Sequence, residues 1–200
     1  MCSLYALYVS DLYSLYTSIK RPIKMRITRE LTRDEIPNVW SIDRTELIEH
    51  LYLHQQGELV LSAQRFDMKG WPEGETDAYT PHLLESYDNG AVFFGIFDDE
   101  KLIAAASLDN VWRGENQDLL QLSFLHVSYQ YRGEGLGGQL FKLCQQRALE
   151  KGAGGLYVSA TPSENTVHFY QYMGCELLEK PDPVLFALEP EDIHFICIFE

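Results

Sequence analysis

Four glycines fall within the six residues Gly133–Gly138. They lie between an apolar run, "LLQLSFLHV" (Leu119–Val127), and a segment from Leu136 onward whose apolar residues recur at helical spacing. A strand, a glycine-rich turn and a helix in that order constrain the chain strongly. Backbone N–H groups at a helix N-terminus, with no side chains in the way, can approach an anion, and the helix dipole adds favourable potential. Each Gly in a helix's first turn costs up to ~1 kcal/mol relative to Ala, so the cluster points to a ligand rather than to a bare tight turn.

Three chemistries compete for such a cradle. "GEGLGG" satisfies the dinucleotide pattern G-x-G-x-x-G, and Gly133 with Gly138 gives the skeleton of a P-loop. A dinucleotide site places its first Gly at the strand's end and wants an acid at the end of the next strand, about 20 residues on. Here Ser128 to Arg132 intervene, and "GLYVSATP" ends with no acid. A P-loop needs Lys and then Ser or Thr after its last Gly, where this chain has Gln139 and Leu140. A kinase glycine loop lacks its V-A-I-K and H-R-D partners. What remains is a diphosphate cradle without a catalytic metal, with Arg132 supplying charge at its rim.

The length of 200 residues suits one domain, and 46% apolar with 12% aromatic residues suits a packed core. A net charge of −14 argues against nucleic-acid binding, because 16 Lys and Arg among 30 acids could build no basic face. The acidity favours solubility, and it also suits a cationic substrate. Cys2, Cys144, Cys175 and Cys197 show no metal or redox spacing, so they read as reduced thiols of a cytoplasmic protein. Residues 1–24 are rich in Leu and Tyr but lack a basic beginning, contain Asp11 and put their basic residues last. They read as neither signal peptide nor membrane span, but as an N-terminal extension to a domain over 25–200, with Met25 the alternative start.

Along that domain the first strand is expected at about Met25 to Thr28. "TRDEIPNVWSIDRTELIEHLYLH" follows with Ile36, Val39, Trp40, Leu47, Ile48 and Leu51 at helical spacing and a Thr32/Glu35 capping box. "DMKGWPEGETDAYTPHLLESYDNG" reads as a long irregular connection. "AVFFGIF" and "LIAAASL" form a hairpin across "DDEK", and "LLQLSFLHV" is the next strand. The helix after the glycines has Leu136, Leu140, Leu143, Cys144 and Ala148 on one face and stops at Gly152. "GLYVSA" reads as a buried strand, and Thr161, Pro162 and Glu164 as the start of a helix closing at Gly174. "CELLEK" and "IHFICIFE" finish as strands. This order is a mixed α/β sheet whose late strand, helix, strand unit is parallel by crossover.

Two segments resemble the GNAT superfamily of N-acetyltransferases. "LHVSYQYRGEGLGGQLF" is similar to its Q/R-x-x-G-x-G/A motif, with Gln130, Arg132, Gly133 and Gly135 in register, and "ATPSENTVHFYQYMGCE" is similar to its later Asn and Tyr segment. The resemblance implies an α/β (α+β) single domain with a mixed, mostly antiparallel sheet of about seven strands flanked by helices. It implies acetyl-CoA as co-substrate and no metal. The strand ending at Val127 would splay from "GLYVSA", freeing backbone groups at Leu125 and Val127 for the pantetheine arm. The diphosphate would rest on amides from Arg132 through Gly133, Glu134, Gly135, Leu136, Gly137 and Gly138. Asn165 would touch the cofactor's arm. Tyr170 would protonate or hydrogen-bond the leaving thiolate, and an N–H near Val127 would hold the oxyanion. Spacing alone allows Tyr170 to be a core aromatic beside Val167 and Met173.

The resemblance leaves the general base open. The usual positions hold Gln121 and Ser123, of which Gln121 could orient a water. Strand alternation is expected to set His126 on the opposite face from Gln121, Ser123 and Leu125, as a packed residue, with His168 on a helix surface. Glu46, Glu49, His50, Glu75 and Asp77 are the remaining candidates, on a region expected to line the acceptor pocket with Trp40, Tyr52, Trp71 and Tyr79. The expected acceptor is a small cationic amine, such as a polyamine, an amino acid or an aminoglycoside-like compound. The alternative is a non-catalytic acyl-CoA-binding regulator. No nucleic acid or membrane is expected as a partner, and relatives of this kind are commonly homodimers.

Overall fold

A computed structural model of the chain describes residues 26–199. The N-terminal extension and the question of Met25 as start lie outside the described residues. Strand β1 (Arg26–Glu30) opens a seven-stranded sheet whose strands lie side by side in the order 26–30, 92–98, 101–113, 119–127, 155–160, 193–198 and 176–177. Its charged side chains guard an exposed sheet edge. The 3-10 helix Arg33–Ser41 follows, with Glu35 Oε2 accepting from the Thr32 N–H at 2.9 Å, so the expected capping box is used. Pro37 removes the N–H that an α-helix would bond to the Arg33 carbonyl, which keeps this turn tight and short.

The helix does not continue into "ELIEHLYLH". Strands β2 (Glu46–Gln55) and β3 (Glu58–Met68) pair instead as a separate two-stranded hairpin. Its turn, Gln56–Gly57, has φ of 52° and 86°, the two positive values a two-residue hairpin turn needs. Leu47, Ile48 and Leu51 satisfy helical spacing equally well, and the turn decides against it. The supposed irregular stretch holds helix α1 (Glu75–Asp88), capped by Gly74 and carrying Pro81 inside.

Strands β4 (Val92–Asp98), β5 (Lys101–Arg113) and β6 (Leu119–Val127) run antiparallel, as expected. Helix α2 (Leu136–Glu150) then crosses to β7 (Gly155–Ala160), parallel to β6. Helix α3 (Glu164–Tyr172) is capped by Ser163 rather than Thr161, because Ser163 Oγ accepts from the Thr166 N–H. The short β8 (Glu176–Leu177), an unexpected helix α4 (Pro183–Leu188) and β9 (Ile193–Ile198) complete the domain. The fold is the mixed, mostly antiparallel sheet of the sequence reading.

The sheet buries both faces. On one, α2 and α3 pack Leu136, Leu140, Phe141, Cys144, Val167 and Tyr170 against Ala104, Ala106, Leu120, Leu122 and Leu156. On the other, the 3-10 helix and α1 cover Phe93, Phe97, Leu102 and Ala105, while α4 sets Leu185 beside Leu119 and Tyr157. Cys144, Cys175 and Cys197 are free and buried among the described residues.

Candidate functional site

The site begins where two parallel strands part. β7 is in register with β6 only from Leu119↔Gly155 to Leu122↔Val158. Beyond Leu122, β6 keeps only its β5 partner. The Ser128 N–H bonds the Ile103 carbonyl at 2.8 Å, extending a ladder that sets Phe124 against Ser107 and His126 against Ala105. Backbone groups alternate in such a ladder, so the N–H and C=O of Leu125 and Val127 turn to the open edge. A fork results whose open edge has no strand partner among the described residues, and its C-terminal end leads straight to the glycines.

The 3-10 turn Tyr129–Tyr131 ends with the Arg132 N–H bonded to the Tyr129 carbonyl at 3.2 Å. The Arg132 amide is therefore spent, and the cradle expected from Arg132 to Gly138 shortens to Gly133–Gly138. Their N–H groups have no backbone partner among the described residues, and the first helical bond runs from Gln139 N–H to the Gly135 carbonyl at 3.0 Å. Gly135, the N-cap, has φ of 81°, which a side chain would oppose. Gly137 faces Phe169, whose Cε2 would lie 3.2 Å from an added Cβ. Glu134 points to Arg26 at 2.6 Å, so its charge is paired at the rim.

Arg132 lies across the fork. Its Nε donates to the Val127 carbonyl at 3.1 Å, and its Nη1 is 3.2 Å from Glu46. Asn165 Nδ2 donates to the same Glu46 carboxylate at 3.2 Å. Strand β2, unforeseen in the sequence, thus bridges the mouth of the fork. It continues past α3, where the Tyr52 N–H bonds the Pro162 carbonyl at 2.8 Å, His50 meets Glu164 at 3.0 Å, and Tyr52 Oη meets His168 at 3.0 Å.

Tyr170 is buried beside Phe141, Phe169 and Phe195. Its hydroxyl makes no hydrogen bond among the described residues, and burial pushes its pKa well up, so it holds its proton throughout the neutral range. It therefore packs as a core aromatic and also carries a spare donor.

On the opposite face the structure corrects the expected alternation. Register shifts at Ser123, where Ser107 faces Phe124 but Leu108 faces Leu122. This bulge reverses the phase, so Leu120, Leu122, Leu125 and Val127 share the α2/α3 face. Gln121 and His126 consequently share the other face instead of opposing one another. His126 packs edge-on to Trp71 at 4.8 Å and Phe124 at 4.7 Å, and burial, with Arg44 and Arg132 nearby, lowers its pKa to about 3. Ser123 bonds Ser107 at 2.8 Å.

The expected acceptor-side residues gather only in part: Arg44, paired with Glu75, stacks over Trp71 at 5.0 Å. Trp40 and Trp71 meet edge-on at 4.8 Å, but Tyr52 goes to α3 and Tyr79 is exposed on α1. Glu75 pairs with Arg44 at 3.2 Å, while Glu49 and Asp77 are exposed. Another polar group occupies this face, which the sequence reading missed. Arg113 Nε donates to Gln121 Oε1 at 3.0 Å, and its Nη1 reaches Asp182 at 3.2 Å. The Asp182 N–H donates to Tyr157 Oη at 2.7 Å, and that hydroxyl lies 2.8 Å from His194 Nδ1. Nearby, Asp109 meets Ser86 at 2.7 Å, and burial raises its pKa.

Residues 29–175 match the family model described as the acetyltransferase (GNAT) family. The chain belongs to the GNAT acetyltransferase family. The acetyltransferase superposes on nourseothricin acetyltransferase with a TM-score of 0.61, at 20% identity over 86% of this chain and 97% of the other. A Bacillus anthracis protein described as a streptothricin acetyltransferase, in complex with acetyl coenzyme A, gives 0.60 at 15% identity, over 88% and 99%. A GNAT acetyltransferase of Staphylococcus aureus Mu50 gives 0.63 at 12% identity, over 88% and 100%. No curated protein sequence matches the chain.

Proposed function

We propose that this acetyltransferase uses acetyl-CoA to acetylate a primary amine of a small, cationic acceptor by direct transfer. The fork between β6 and β7, opening onto the glycine turn, carries this reading. The amides of Gly133–Gly138 take the diphosphate, and the Leu125 and Val127 backbone takes the pantetheine arm. Arg132 leaves the Val127 carbonyl to make room. The amine attacks the thioester carbonyl, and a β6 N–H near Val127 stabilises the oxyanion, an interaction worth roughly 3–4 kcal/mol for one donor. Tyr170 gives its proton to the departing thiolate. The net charge of −14 favours a cationic acceptor, and two similar structures carry the names of nourseothricin and streptothricin acetyltransferases.

A second reading, an acyl-CoA-binding regulator without turnover, draws on the absence of an acid at Gln121, whose carbonyl is occupied by Arg113. Thermal shift with acetyl-CoA, NAD and ATP, followed by release of CoA thiol across a panel of amines, separates the two. A ligand at 100 times its Kd stabilises by ~2.7 kcal/mol. Stabilisation by acetyl-CoA with thiol release supports transfer, stabilisation without release supports the regulator, and stabilisation by NAD alone defeats both.

A further inference from the structure

Gln121 and Tyr157 are neighbours in the parallel register one step before β6 and β7 part. Their flanking residues Leu120, Leu122, Leu156 and Val158 belong to the α2/α3 face, so Gln121 and Tyr157 both point to the acceptor face. They floor the fork on that side. Tyr157 Oη accepts from the Asp182 N–H at 2.7 Å, which leaves its own proton for His194 Nδ1 at 2.8 Å. His194 is 3% exposed, and its Nε2 has no hydrogen-bond partner among the described residues. An orphaned buried ring nitrogen of this kind is costly in a merely structural histidine.

Tyr157 is 1% exposed, and helix α4 helps to cover this pair. Leu185 is its buried residue, resting with Tyr157, while Val184, Phe186 and Leu188 are 59%, 46% and 70% exposed. Between the β2–β3 turn and the segment after β8 a cleft of ≈ 410 Å³ is lined by His54, Gln56, Gly57, Glu179 and Lys180. The Leu178 N–H, next to Glu179, bonds the His194 carbonyl at 2.9 Å.

Building on the N-acetyltransferase reading, we propose that the acceptor amine binds beneath α4 and gives its proton to a Tyr157–His194 relay. As nitrogen attacks, the new C–N bond forms and the C–S bond breaks. The nitrogen's proton passes to Tyr157 Oη while the Tyr157 proton passes to His194 Nδ1. The thiolate takes its proton from Tyr170. Solvent then takes the proton from His194 and reprotonates Tyr170, so amine and thioester become amide and thiol with nothing left over.

Groups on each neighbouring element tune the ring. Asp182, ahead of α4, favours its protonation, His54 on β2 opposes it, and burial outweighs both, so the His194 pKa lies below its ordinary value. Arg113 on β5 and Asp182 also face Tyr157. Of the acids foreseen as bases, Glu46 is committed to Arg132 and Asn165 and Glu75 to Arg44, while Glu49 and Asp77 are exposed. Asp109 on β5 is the rival, a half-buried carboxyl held by Ser86 of α1 and by Ser123 where β6 leaves β7.

The test compares Tyr157→Phe, His194→Asn and Asp109→Asn with wild type, in acetyl-CoA binding and in the pH dependence of kcat/KM for an amine that wild type acetylates. The relay predicts unchanged acetyl-CoA binding and kcat about 100-fold lower at neutral pH in the first two variants, a loss typical of general-base removal. It also predicts that the acid limb belonging to the relay disappears, leaving only the rise set by the amine's own titration, so that their deficit narrows at high pH, where the amine is already neutral. Variants that bind acetyl-CoA and turn over within twofold of wild type overturn the relay alone, as does loss of the acid limb in Asp109→Asn only. Absence of any turnover by wild type overturns the N-acetyltransferase reading, and the relay with it.

Discussion

Glu46 holds Arg132 at 3.2 Å across the mouth of the fork, although 86 positions separate them in the chain. The contact keeps a cation at the slot while placing an anion beside the cradle that would receive a diphosphate.

Glu46→Gln should therefore tighten acetyl-CoA binding. Substitution frees Arg132 and removes a like charge, and for a partly exposed pair the gain is about 0.5–1 kcal/mol, or roughly two- to fivefold in Kd. Titration calorimetry at low salt measures it, and weaker binding by the variant would show that Glu46 organises the slot instead.

Tyr170→Phe should fold as well as wild type, since the hydroxyl makes no hydrogen bond among the described residues. Its kcat should fall about 100-fold with acetyl-CoA affinity unchanged. Equal turnover would leave Tyr170 with a packing role only.

The glycines separate backbone strain from crowding. Gly135→Ala forces a Cβ onto φ of 81° and should cost about 1–2 kcal/mol in urea unfolding. Gly137→Val places a branched side chain against Phe169, whose Cε2 would be 3.2 Å from the Cβ alone, and should disturb the α2 and α3 packing. Gly137→Val at wild-type stability would contradict the tight approach of these helices.

The Arg29 guanidinium, 2.6 Å from Glu35, together with the Thr32 N–H, holds the Glu35 carboxyl at about 2. A carboxyl lowered on folding contributes stability above its unfolded pKa of about 4.3, and that contribution is lost as pH falls through the folded value. Solvent screening limits it to about 1 kcal/mol or less. Glu35→Gln should be less stable than wild type at pH 6, and the difference should vanish near pH 2. A gap that persists in acid would point to packing.

Much of the cofactor side was legible in the sequence because its signals are local. The run ending at Val127, the glycines and the amphipathic helix to Gly152 each impose their own conformation. The acceptor side was not, because its signals depend on pairing. Leu47, Ile48 and Leu51 fit helix and strand alike until the Gln56–Gly57 turn folds them back. Pro81 and the absence of a buried residue disguised α1. The Ser123 bulge exists only in register with β5, and it moved Gln121 to the face of His126. Tyr157, Asp182 and His194 come from three separate segments, with no motif to join them.

The central claim is that acetyl-CoA lies along the open edge of β6 with its diphosphate on the glycine turn. Amide hydrogen exchange with and without acetyl-CoA tests this residue by residue. The account predicts slowed exchange at Leu125, Val127 and Gly133–Gly138, with β1 and α1 unchanged. Saturating acetyl-CoA that leaves those amides unprotected would contradict it.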